Sequence, residues 1–170
     1  KKCILSILIT TSILSTTYAA EEAEKAAPII DSISAAYSNE CRVQLETAEK
    51  IFKQLESLEG EKTIRTVLEP LNELSMVLNN TAGKASLFYN VHPNENVRNV
   101  AEQHQQALSK LGTDISISRP LYEALLKVDV SNADAKTKRM HEHSLRGYRR
   151  SGVDKSEEVR KRIRKIREEL

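Results

Sequence analysis

Tryptophan is absent, and two Phe and five Tyr bring the aromatic share to only 4% of 170 residues. Any core must therefore be filled mainly by Leu, Ile, Val and Ala. With Leu, Ala, Glu, Lys, Arg and Gln recurring throughout, that scarcity favours helix over sheet. No stretch shows the strict period-two alternation of a half-buried strand, and there is no internal repeat or low-complexity tract. The five glycines form neither a Gly-rich phosphate loop nor a Rossmann fingerprint. Of the two cysteines, Cys3 sits in the apolar opening of the chain. Cys41 is then left alone, which excludes an internal disulfide framework and reads most simply as a small buried apolar residue.

Long apolar runs are also missing. Lys1-Lys2, the apolar stretch from Cys3 to Leu14 and the small residues around Ala19 and Ala20 have the charged, apolar and small-residue regions of a secretory signal peptide. The apolar run falls well short of the ~20 residues that span a bilayer. Cys3 stands at the start of the run instead of its end, where a lipidated cysteine belongs. The expectation is a signal peptide over 1–19, a flexible, Ala-rich lead-in over 20–29, and a helical domain over 30–170, with export to the periplasm or beyond and no stable membrane anchor after cleavage.

There are 26 Lys and Arg against 24 Asp and Glu, and Lys1 and Lys2 supply the whole excess. The balance is uneven along the chain: residues 138–170 hold 12 basic and 6 acidic residues. The run through Arg146, Arg149, Arg150, Arg160, Lys161, Arg162, Arg164, Lys165 and Arg167 has the composition of a phosphate-tracking surface. Export and the broad spread of these charges around a helix favour a solvated face or an acidic protein neighbour, so no nucleic-acid partner is expected.

Apolar residues at steps of three and four predict a series of helices. The first carries Cys41, Leu45, Ala48, Phe52 and Leu55 and ends near Gly60. The second carries Ile64, Val67, Leu68, Leu71, Leu74 and Leu78, with Thr63 as its cap and Pro70 predicting a kink or a delayed start. The spacing leaves continuity through Gly83 open before His92-Pro93 forces a turn. Asn94 caps a helix with Val97, Val100, Ala101, His104, Leu108 and Leu111; Ser118 caps a shorter one with Pro120 in its first turn. Ser131 is read as opening a helix that Ser151-Gly152 stops. Asp154 with Glu157 resembles a capping box for a last helix striped by Val159, Ile163, Ile166 and Leu170. That helix reaches Leu170 with no stop signal, so the polypeptide is expected to continue. The fold class is all-α, a bundle of about five to six amphipathic helices.

Catalytic chemistry is hard to place. His141-Glu142-His143 suggests the zinc motif H-E-x-x-H, but Leu145 occupies the second histidine position. His141 and His143 lie roughly 200° apart around a helix and cannot share an ion. His92 and His104 have no nucleophile or carboxylate partner nearby and read as structural. Carboxylates such as Glu46 and Glu49 alternate with Lys50 and Lys53 as on a solvated helix face. No catalytic, cofactor-binding or metal residue is assigned.

From about Leu68 onward, PLNEL at 70–74, FYNVHPNENVRNVAEQ at 88–103, RPLYEALLKV at 119–128 and LRGYRRSGVDKSEEVRKRIRKIREEL at 145–170 resemble the N-terminal region of the thimet oligopeptidase, neurolysin and oligopeptidase A family. The closing segment, an Arg-rich Gly-containing turn before a long Lys- and Ile-rich helix, is the most specific. The resemblance implies a zinc metallopeptidase whose N-terminal helices form one wall of a deep channel that admits short peptides. Its catalytic H-E-x-x-H helix and downstream Glu ligand are implied to lie beyond Leu170, so that this domain packs against a catalytic half absent here. The alternative from another class is a self-contained secreted helical bundle that binds a protein or peptide.

Overall fold

The computed structural model describes Pro28 and residues 32–169. The expected leader over 1–19, the lead-in over 20–29 apart from Pro28, and Leu170 lie outside the described residues. Among the described residues there are six α-helices and no strand. Helix α1 covers 32–56. It buries Tyr37, Cys41, Ala48, Phe52 and Leu55 on one face and ends ahead of Gly60, whose φ of 78° suits a residue without Cβ.

The entry to the second helix shows what Pro70 requires. Thr66 N–H donates to Thr63 Oγ1 (3.1 Å) while Thr63 N–H donates back to Thr66 Oγ1 (2.9 Å), a reciprocal cap. One π-helical turn, Ile64–Leu68, follows, and only then does α2 (Glu69–Val91) begin. The wide turn precedes a proline placed in the first turn of α2, where no intrahelical N–H is needed. The sequence alternatives of kink or delayed start resolve as a delayed start. Helix α2 then passes through Gly83 unbroken, its packing along α3 outweighing the ~1 kcal/mol that a mid-helix glycine costs.

Asn94 caps α3 (Glu95–Ser116), and Arg98 fastens the preceding turn by donating to the His92 carbonyl (2.7 Å) and the Pro93 carbonyl (2.9 Å). Ser118 caps α4 (Arg119–Leu126), as its sequence predicts. Two expected starts move. Helix α5 (Ala135–Arg150) is capped by Asp134, which accepts from Lys136 N–H (2.7 Å) and Thr137 N–H (3.1 Å). Ser131 instead sits in a turn where its N–H donates to the Asp129 carboxylate (2.8 Å). Helix α6 (Glu157–Glu168) is capped by Ser156 in place of Asp154.

The core joins α1 to α5. Ala48, Phe52 and Leu55 meet Val67, Leu68, Leu71 and Leu74, and Leu121, Leu125, Tyr148 and Val153 close the far side. A smaller cluster of Tyr37, Cys41, Val97 and Ala101, with Phe88 and Val100 against it, lies nearer the start of α1. Two polar clasps tie α1 down near its ends: Lys84 Nζ donates to both Glu40 oxygens (2.6 and 2.7 Å), and Ser118 Oγ donates to Glu56 Oε1 (2.6 Å).

Candidate functional site

The histidines separate rather than converge. His141 is buried, and its Nε2 lies 2.8 Å from the Leu125 carbonyl, which can only accept, so Nε2 carries the proton. That bond pins α5 to the end of α4. His143 is exposed on the same helix, as its place two residues further round dictates. His92 accepts the Asn94 N–H at Nδ1 (3.2 Å) and its ring lies 5.2 Å from that of Phe88. Among the described residues no group of three or more His, Cys, Asp or Glu side chains is placed to hold a metal ion. The zinc implied by the resemblance therefore does not fit any residues described here.

His104 and Cys41 belong to the seam between α1 and α3. His104 is 5% exposed, its Nε2 meets no hydrogen-bond partner, and burial lowers its pKa while Glu40 partly opposes the shift. Burial likewise raises the pKa of the Cys41 thiol and of the neighbouring Tyr37 hydroxyl. A buried thiol kept protonated is an inert packing group.

The basic end acquires a structural role. Arg164 Nε donates to Asp114 Oδ1 (2.9 Å), Arg167 to Ser116 Oγ (2.7 Å) and Arg160 to the Ile117 carbonyl (3.5 Å). All three reach the C-terminal end of α3, where cations are favoured by the helix macrodipole. Arg149 Nε donates to the Tyr122 hydroxyl (3.0 Å), and Lys161 pairs with Glu157 (2.9 Å) along the surface. These contacts account for much of the charge run as docking of α6 and α5 onto α3 and α4.

Beneath α6 lies an open cleft of about 600 Å³ where α1 ends and α4 begins. Glu56, Ser118, Lys110 and Arg160 line it. Sequence reasoning found Ser118 as a cap but could not see Glu56, 62 positions away, as its partner. The pair is not a nucleophile with its base: Ser118 Oγ already serves the Leu121 N–H (3.4 Å), and no imidazole lines the cleft. Among the described residues no helix is long and apolar enough to cross a membrane. Among the described residues neither a metal-holding cluster nor, in this cleft, a nucleophile with an imidazole base is assembled.

Residues 42–160 match the family described as Neurolysin/Thimet oligopeptidase, N-terminal domain. The match begins within α1, ahead of the segments that carry the resemblance in sequence, and ends inside α6. A Thimet-like oligopeptidase of Dictyostelium discoideum is 25% identical over 138 residues, which cover 76% of this chain and 20% of that protein. The chain spans about a fifth of this relative's length.

Proposed function

Because the chain belongs to the neurolysin/thimet oligopeptidase family, as its N-terminal helical domain, we propose that it is the non-catalytic part of an exported zinc oligopeptidase that hydrolyses short peptides. The family match over residues 42–160 carries this reading. On this reading zinc and its ligands belong to a following segment. There the metal would activate water for peptide hydrolysis. The helices described here would wall the channel that limits substrates to short peptides.

The stripe of α6 supports a continuation that packs against this domain. Val159 is 43% and Ile166 48% exposed, although both lie on the apolar face of a helix whose arginines are turned onto α3. Such a face is stable in water only at a cost, and it suits an intramolecular contact.

Reading the frame beyond Leu170 and assaying its full product tests the proposal. An in-frame H-E-x-x-H is expected, with cleavage of a quenched fluorescent nonapeptide that is lost on chelation and restored by zinc. A frame without that motif, or cleavage indifferent to chelation, would sink it. Fractionation of the source cells tests export, since a product confined to the cytoplasm with residues 1–19 retained contradicts the leader.

A further inference from the structure

Among the described residues only one face of helix α2 is packed. Leu71, Leu74, Thr81 and Ala85 are buried. On the opposite side, within roughly a 100° arc of the helical wheel, lie Met76, Asn80, Gly83, Leu87, Asn90 and Val91. All six are exposed, Leu87 by 57% and Val91 by 66%. Between residues 74 and 91 the single charged residue is Lys84, in a chain that is 29% charged. Lys84 is also turned to the edge of the helix, where its ammonium is held by Glu40. From Met76 to Val91 the outer face of α2 is therefore free of charge over about four turns, with Glu69 and Glu73 on the same arc only at the start of the helix, whereas the outer faces of α1 and α6 are dense with Lys, Arg and Glu. A solvated helix face is normally charged, and a helix apolar on both sides is normally covered. Loss of charged residues is the compositional mark of an interface core.

We infer that the outer face of α2 is the seat on which the catalytic segment of the same polypeptide docks, an inference that rests on the function proposed above. Size argues for a covalently joined occupant over a second copy. The uncharged outer face from Met76 to Val91 is about 24 Å long and 10 Å wide. Covering it hides about 500 Å² counted over both partners, less than half of the ~1,200 Å² of a stable two-protein interface. Tethering within one chain supplies the high effective concentration that so small a contact needs. The relative of which this chain matches only 20% leaves ample length for such a segment.

The test uses thiol labelling of the full-length product in a Cys3→Ser background, with Cys41 buried and slow to react. Leu87→Cys, and Met76→Cys about three turns earlier, are compared with Gln54→Cys on the charged face of α1, each native and in urea. Docking predicts that labelling at Leu87→Cys and Met76→Cys is slowed at least about tenfold in the native product, with Gln54→Cys slowed little. Equal native and unfolded rates at either α2 site overturn the inference. So does protection that appears only as protein concentration rises, which marks a second copy, or only on adding the nonapeptide, which marks a substrate wall. An active, chelator-sensitive enzyme with Leu87→Cys freely labelled removes the docking face and leaves the function standing. Protection in a product without H-E-x-x-H does the reverse, and a frame that stops at Leu170 overturns both.

Discussion

The two apolar clusters on α1 solve the same packing problem with different materials. The larger, around Leu68, Leu74, Leu121 and Leu125, draws on five helices and the buried Val153 in the α5–α6 turn, and its one unpartnered polar atom is the Tyr148 hydroxyl. The smaller rests on Tyr37, Cys41, Val97 and Ala101; His104 Nε2 beside it has no partner, and the Tyr37 hydroxyl has only the weakly bonding thiol of Cys41. The exposed Lys84–Glu40 pair (2.6 Å) lies over it, with the Lys84 ammonium above the Tyr37 and Phe88 rings. An unpaired buried polar atom costs about 1–3 kcal/mol. Stability should therefore be concentrated at the α4–α5 end, and the start of α1 should be the first part to loosen.

The largest effect is expected where the contrast is strongest. Leu125 is fully buried, and its carbonyl also receives His141, so Leu125→Ala should lower unfolding free energy by about 2–5 kcal/mol in urea titration. A loss under about 1 kcal/mol would mean that the large cluster collapses around the cavity and is no firmer than the small one. Next comes the turn into α6. Gly152 has φ 83°, and a Cβ built there would lie 2.6 Å from Ile163 Cδ1. Gly152→Ala should cost about 2–4 kcal/mol from left-handed backbone and overpacking together. The loss is limited by how tightly α6 docks, so it is best read as faster amide exchange in residues 157–168; unchanged exchange there would show that Ile163 simply moves aside. Smaller again is Lys84→Met, which keeps the stem and removes the ammonium from Glu40 and from above the Tyr37 and Phe88 rings (5.5 and 5.4 Å). About 1 kcal/mol or less is expected, with faster exchange confined to the first turns of α1. Global unfolding of that variant would make the small cluster an equal partner of the large one.

Most of this architecture was legible because it is local. The stripes of α1 and α3, the caps at Thr63, Asn94 and Ser118, and the turn at His92-Pro93 follow from spacing and from residues that satisfy their own neighbours' N–H groups. Two caps were misplaced because Ser131 and Asp134, or Asp154 and Ser156, compete within three residues of each other, and the winner is set by where the helix must start to bury Tyr148 or to bring Arg160 and Arg164 onto α3. The sequence pattern also separated His141 from His143, since their angular spacing is a property of any helix. What could not be read were the partners across the fold: Glu56 for Ser118, Glu40 for Lys84, Asp114 for Arg164. Nor could the outer face of α2 be distinguished, because only the structure shows which side of a helix so poor in charge is left open among the described residues.

His104 gives the last and, at neutral pH, the smallest expected effect, and it tests the small cluster by itself. Burial lowers its folded pKa, so the unfolded chain binds a proton more readily than the folded one. The unfolded side chain titrates near pH ~6.5. Stability is then fully present above that pH and is lost as pH falls through it toward the lowered folded value. Glu40, on α1, pulls the other way and limits the loss, while Lys84 on α2 holds Glu40 in place. Carboxylates with lowered pKa, among them Glu123, Asp134 and Glu157, lose their contributions only as pH falls below their ordinary values near ~4. The two windows are therefore separate. His104→Leu removes both the orphaned Nε2 and the proton site, so its melting temperature at pH 7.5 should equal or exceed that of the parent, and its decline between pH 7.5 and 5.5 should be shallower. Parallel curves would mean that His104 takes no part in the acid response and that its ring nitrogen has a solvent partner in the folded chain. In that case the two clusters differ in size but not in how well their polar atoms are satisfied.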